Sequence, residues 1–189
     1  MTGESMTKVA VIVGSLRRES INRRLAHALA SLAQPKGLEL VELRLDDLPL
    51  YNEDLWQSPP ASVQRLKQEI KDADAVLFVT PEYNRSIPAV VKNVVDWASR
   101  PMVDSVWPGK RASIVGASPG AIGTAVAQSH LRSILTPLGI ALLSRPEVYL
   151  SLKPDQLGEQ GEVTDERLAK LLDRFLDAFA AWLERVKPA

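Results

Sequence analysis

The sequence predicts an α/β protein, a doubly wound five-stranded parallel sheet with helices on both faces. Short, nearly continuous apolar runs alternate with longer stretches whose apolar residues recur every three or four positions. The runs are too apolar to leave one face in water, as expected of parallel strands covered on both sides. The 189 residues, 46% hydrophobic, suffice for a core without covalent staples.

The elements follow in order. Residues 8–13 are an apolar run ending at Gly14, the first strand. Ile21, Leu25, Leu29 and Leu32 then repeat at helical spacing until Pro35-Lys36-Gly37 stops the helix. Residues 38–45 alternate apolar and polar, a strand nearer an edge. Three prolines and mixed acids and aromatics make 46–60 a long surface loop. Val63, Leu66, Ile70 and Ala73 mark the second helix, and 75–79 the next buried strand, stopped by Thr80-Pro81. Ile87, Val90, Val91, Val94, Val95 and Ala98 form the third helical stripe, with Pro88 in its first turn.

Residues 100–110 are expected to form a loop, 112–115 the fourth strand, and 124–135 a helix carrying Leu131, Ile134 and Leu135. Residues 140–143 start the last strand, whose pattern can run on to Leu150. The polar, glycine-containing stretch 153–161 reads as a mobile loop. Thr164-x-x-Arg167 opens the final helix, striped by Leu168, Leu171, Leu172, Phe175, Phe179, Trp182, Leu183 and Val186. One domain is expected over 7–187, behind a flexible tail of residues 1–6.

Composition excludes several functions. Lysine plus arginine and aspartate plus glutamate are 23 each, so the zero net charge gives no global pull toward nucleic acid or an anionic membrane. No apolar run approaches the ~20 residues of a spanning helix, and residues 1–7 have no signal-peptide core. A cytoplasmic protein is expected. Zero cysteines remove disulfides, thiolate–zinc sites, iron–sulfur clusters and cysteine nucleophiles. Two histidines are too few for a three-histidine metal site, and no metal is expected.

In a doubly wound sheet, ligands sit at the carboxyl ends of the strands. Three loops lie there. The first, Gly14-Ser15-Leu16-Arg17-Arg18-Glu19-Ser20-Ile21-Asn22-Arg23, joins a buried strand to a helix. Hydroxyls, arginines and free helix N–H groups suit an anion. Lacking the Walker ending and the three-glycine fingerprint, the loop fits one monophosphate better than a triphosphate or dinucleotide. The plainer alternative is a helix capped by Ser20 or Asn22.

The second loop, Thr80-Pro81-Glu82-Tyr83-Asn84-Arg85-Ser86, is stiffened by Pro81 and Pro88. It could stack on a planar heterocycle and hydrogen-bond to it; alternatively it is a turn in which Ser86 caps the next helix. The third, residues 116–123, matches Gly-x-Ser-x-Gly around Ser118. As a hydrolase elbow it fails twice. Pro119 has no N–H for an oxyanion, and the only later histidine, His130, lies inside a helix. A glycine-rich loop whose backbone approaches a flat ligand is the other reading.

Gly14-Ser15-Leu16-Arg17-Arg18-x-Ser20-x-Asn22, then Pro81-Glu82-Tyr83-Asn84-x-Ser86-x-Pro88 and Lys92-Asn93-x-x-Asp96-Trp97-x-Ser99-Arg100-Pro101, resemble the NADPH-dependent FMN reductases. The resemblance runs from about Thr7 to Lys187. It implies a flavodoxin-like fold with strand order 2-1-3-4-5, and FMN as cofactor with NADPH or NADH as hydride donor. By position, Ser15, Arg17, Ser20 and Asn22 would hold the FMN phosphate. Pro81, Glu82, Tyr83 and Asn84 would border the isoalloxazine, Ser118 and Gly120 would approach it, and Leu16, Ile21 and Ser86 would complete the cofactor-binding set. Backbone donors between Ser118 and Gly120 would favour the reduced flavin.

The implied reaction passes hydride from NAD(P)H to flavin N5, then electrons to a small-molecule acceptor: a quinone, flavin, azo dye or metal ion. No catalytic side chain is required, because the flavin carries the chemistry. The family implies a homodimer or homotetramer, although Val126 and Ser129 stand where close relatives carry Arg and Tyr. Two rivals remain: a flavodoxin-type electron carrier without its own NAD(P)H oxidation, and a serine hydrolase at Ser118.

Overall fold

The computed structural model describes residues 6–186. Residues 1–5 of the expected tail at 1–6, and the end of the domain at 187, lie outside them. The elements are β1 (Thr7–Val13), α1 (Ile21–Ala33), β2 (Leu38–Glu42), α2 (Ala61–Lys71), β3 (Ala75–Val79), α3 (Ala89–Ala98), β4 (Arg111–Ser118), α4 (Ala125–Leu135), β5 (Ala141–Leu142), β6 (Val148–Ser151) and α5 (Glu166–Arg185). All strand pairs are parallel, in the order β2-β1-β3-β4-β5, with β6 also on β4. This is the flavodoxin-like order, with one strand more than the five expected.

The period-2 alternation of β1 divides the core in two. Val9, Val11 and Val13 face α1 and α5, packing with Leu25, Leu29, Phe175 and Phe179. Ala10 and Ile12 face the opposite layer, where Val63, Leu66 and Ile70 of α2, Val91 and Trp97 of α3, and Leu131 of α4 close over them. Phe78, Trp97 and Trp107 are fully buried in this second core. Each such ring removes enough apolar surface to contribute about 2–3 kcal/mol. Pro35-Lys36-Gly37 ends α1 as expected, with Gly37 in the left-handed region at φ 73°.

Several local expectations are corrected. The last strand splits in two. Pro146 has no N–H for a ladder, so β5 pairs with the start of β4 (Arg111↔Ala141) and β6 with its end (Val115↔Val148). Pro88 is the N-cap of α3 rather than part of its first turn, its ψ of 149° being extended. Loop 153–161 is anchored rather than open. Leu157 is 1% exposed, and a Cβ on Gly161 would run into the backbone of α1. The cap of α5 is Asp165, one residue past Thr164, accepting from Arg167 N and Leu168 N.

β4 is longer than 112–115 at both ends. Gly116 continues the strand because it lets the Thr80 carbonyl come so close that a Cβ would collide with it. At the other end, Arg111 is 7% exposed, and its guanidinium donates to Leu183 O (2.6 Å), Val186 O (3.0 Å) and Asp74 O (3.1 Å). The cation thus meets the carbonyl end of α5, where the helix dipole favours positive charge.

Candidate functional site

β1, β3 and β4 end side by side, and the loops that follow them enclose one cleft of about 90 Å³. Ser15, Arg17, Ser20, Ile21 and Asn22 form one wall, Pro81, Glu82 and Tyr83 the other, and Ala117, Ser118 and Pro119 the floor. A hollow of about 210 Å³ adjoins it, sharing Arg17, Ile21 and Pro119 and adding Arg24 and Leu152 from β6's end of the sheet. Leu152 and Pro119 are members that sequence reasoning missed. Pro119 bears in the sequence only on the hydrolase reading, and Leu152 follows β6, a strand whose separation from β5 is signalled by Pro146.

The first wall is built by α1. Ser20 is its N-cap, with φ −78° and ψ 122°, and Ser20 Oγ accepts from Arg23 N at 3.3 Å. The other first-turn amides have no intrahelical acceptor, and α1 has no acidic residue in its first turn. Ser15 and Ser20 are buried at 3% exposure each, whereas Arg17 is exposed at the rim. The side chain of Asn22 has backbone partners. Its Nδ2 donates to Ala117 O (2.8 Å) and its Oδ1 accepts from Ala117 N (2.9 Å), so its amide bolts α1 to the end of β4.

The second wall is a two-residue hairpin. Tyr83 N donates to Ser86 O and Ser86 N to Tyr83 O, each at 3.0 Å. Asn84 and Arg85 between them have φ of 50° and 61°, as a tight hairpin turn requires. Tyr83 is 45% exposed, and its hydroxyl comes within 3.5 Å of Ser15 Oγ, bridging the cleft. Glu82 Oε2 accepts from Val126 N and Ala127 N of α4, both at 3.0 Å. Ser86 does not cap α3; its Oγ lies 3.1 Å from His130 Nδ1. The hairpin is therefore fastened to α4 at two points.

Leu16, Asn84, Ser86 and Gly120 are off the cleft wall. Asn84 is the exposed hairpin tip, and Gly120 N donates to Ser118 Oγ at 3.0 Å. Pro119 has no N–H, so the backbone donors of this stretch are those of Ser118 and Gly120. The bond from Gly120 N turns Ser118 inward on its own loop, while His130 pairs with Ser86. No histidine serves Ser118, so the hydrolase reading has no base.

Leu16, 53% exposed, separates the cleft from a larger basin of about 390 Å³ at the ends of β1 and β2. The charges of that basin satisfy one another. Arg23 Nε meets Glu42 and Arg44 Nε meets Asp46, each at 2.9 Å. The Arg44 guanidinium holds the Asp46 carboxyl below its usual range. The smaller cleft is the better candidate site despite its size, because the first turn of α1 has no acid, Arg17 is exposed, and the acid in its lining, Glu82, already accepts from α4 amides. Its donor set, two hydroxyls, a guanidinium and helix amides beside Tyr83 and two prolines, fits a phosphate next to a flat ring.

Comparison with known proteins decides the class. The family model for NADPH-dependent FMN reductases matches residues 7–155. The chain belongs to that family. A 2-hydroxy-1,4-benzoquinone reductase from a Burkholderia species is 49% identical over 176 residues, 93% of this chain and 96% of that protein. A quinone reductase from Pseudomonas putida is 45% identical over 177 residues, covering 93% and 94%. The structure of FerB, a flavoenzyme NAD(P)H:(acceptor) oxidoreductase from Paracoccus denitrificans, superposes with a TM-score of 0.92 at 47% identity, covering 96% of this chain and all of that one. This FMN reductase is therefore an oxidoreductase that uses FMN with NAD(P)H as donor. Among the described residues no group of three or more His, Cys, Asp or Glu could hold a metal, and no helix is long and apolar enough to cross a membrane.

Proposed function

We propose that the cleft between α1 and the 82–86 hairpin seats FMN, and that the protein uses it to reduce quinones at the expense of NAD(P)H. One observation carries the reading: the two family motifs converge on a single cleft beside a helix N-terminus whose first turn has no acid. Ser15, Ser20, Arg17 and the first amides of α1 bind the phosphate. Charge-assisted bonds from Arg17 and the α1 dipole make that end the anchor. Pro81, Tyr83 and Pro119 flank the ring, and Asn22 acts indirectly by fixing the floor to α1.

When bound, FMN supplies the two-electron relay between donor and acceptor. The protein's share is to orient the ring and keep one face open, so no acid–base side chain is needed. Flat quinone acceptors suit such a site, and relatives at 45–49% identity are named for them. A homodimer or homotetramer belongs to the same reading. Leu50, Met102 and Val103 expose 78%, 78% and 98% of their surface, large apolar side chains that a second copy would cover. A cytoplasmic location follows from the donor, since NAD(P)H is an intracellular reductant.

The test is an anaerobic visible spectrum of the FMN-loaded protein before and after NADPH. Rapid bleaching, reversed by a benzoquinone, is the expected result. A yellow protein that NADPH leaves unbleached marks an electron carrier instead. A protein that fails to bind FMN overturns the assignment of the cleft.

A further inference from the structure

Glu82 is the most reactive-looking residue of the second motif, yet the FMN reading gives its carboxylate no task. Its position is specific. It lines the cleft, and one oxygen, Oε2, accepts from Val126 N and Ala127 N at 3.0 Å each. These belong to the second and third residues of α4. That helix has no cap of its own, since Thr124 makes no side-chain capping bond and the first turn contains no acid. The cap comes from 44 residues upstream, on the opposite wall of the site.

We propose that Glu82 tunes the reduction potential of FMN in the cleft, its carboxylate lining that cleft while it caps the N-terminus of α4. The inference rests on the assignment of FMN to this cleft. A helix N-terminus carries about half a positive charge, so a full carboxylate placed on it leaves a net negative end. FMN that accepts hydride from NAD(P)H gains two electrons and one proton, the donor leaving as NAD(P)+. Without a second proton, the reduced form carries one more negative charge than the oxidised form. A negative end nearby opposes that charge, and Gly120 N, already bonded to Ser118 Oγ, is not free to offset it. The flavin is kept strongly reducing, which favours passing electrons onward. Glu82 is a positioning and tuning residue in this account, acting through charge rather than through a proton.

Two variants of the FMN-loaded protein separate charge from capping. Glu82→Gln removes the charge and keeps an acceptor oxygen. Its midpoint potential is expected to move to a more positive value, with reduced FMN gaining about tenfold in affinity relative to oxidised FMN. Glu82→Asp keeps the charge and shortens the reach. Its Val126 and Ala127 amides are expected to exchange faster with solvent, while its potential stays close to that of the parent. A Glu82→Gln potential equal to the parent's, or equal shifts in the two variants, overturns the proposal and leaves Glu82 as a cap alone. If Glu82→Gln fails to fold, Glu82→Asp decides: a positive shift there, with the charge retained, overturns it. A parent protein that binds no FMN removes the cleft assignment itself, a separate outcome visible before any potential is measured.

Discussion

The N-termini of α1 and α4 both lie at the carboxyl edge of the parallel strands, yet only the second is given an acid. α1 begins with Ser20 as cap, no first-turn carboxylate, and Arg17 at the rim. α4 begins without a cap of its own and borrows the carboxylate of Glu82. Similar dipoles thus serve different ends. The uncovered one is the proposed phosphate anchor, because its amides keep their unmet demand for an acceptor. The covered one is structure, fastening a loop to a helix. A helix terminus beside a cleft becomes a binding group only when the fold withholds its natural counter-ion.

The most damaging way to break this comparison is to give α1 an acid of its own. Ser20→Asp should retain the cap and place a carboxylate where the phosphate binds. Like charges at that range cost several kcal/mol, so FMN affinity should fall by more than about 100-fold in a flavin fluorescence titration. Thermal stability of the FMN-free protein should hold or rise. Undiminished FMN binding would show that the phosphate lies elsewhere.

Asn22→Ala attacks the support of the same terminus. It strips Ala117 N and O of their buried partners, which should lower stability by roughly 3 kcal/mol in urea unfolding. A loss under 1 kcal/mol would mean that the bolt between α1 and β4 is unimportant. Arg17→Ala removes only the rim cation. FMN binding should weaken by about 1.5–3 kcal/mol with little change in unfolding midpoint, and the deficit should narrow in high salt. An unchanged dissociation constant would remove Arg17 from the site.

The smallest effect concerns α5, whose N-terminus is covered like that of α4. Leu168 N and Arg167 N hold the Asp165 carboxyl below the usual carboxylate range. A depressed native value means that the stabilisation is complete above the unfolded pKa and is lost as pH falls through the native one. Asp165→Ala should therefore melt below the parent at neutral pH, with a gap that closes as pH drops below about 4. A gap independent of pH would show that the charge of Asp165 contributes nothing.

Much of this was legible in the sequence, and the legible part is the local part. Runs such as Ala75–Val79 coincide with strands residue for residue, because a strand buried on both faces admits little but apolar side chains. Ile21 starts α1 as its stripe and capping serine indicate. Both motifs meet at one cleft, since loops after adjacent parallel strands must share an edge of the sheet. Residue type alone does not give the role: the Asn22 side chain bonds the backbone of Ala117, and Ser86 pairs with His130 rather than capping α3.

Those roles were settled only by tertiary structure. Asn22 and Ala117 are 95 residues apart, and Arg111 and Leu183 are 72 apart. Glu82 reaches α4 across 44. The amino-acid sequence by itself determined which segments fold as strands and helices, and hence which loops gather at the carboxyl edge. Which side chain turns to the ligand and which to the backbone was decided by packing. A buried polar group must find a partner wherever the fold places one, and no local pattern of residues records that choice.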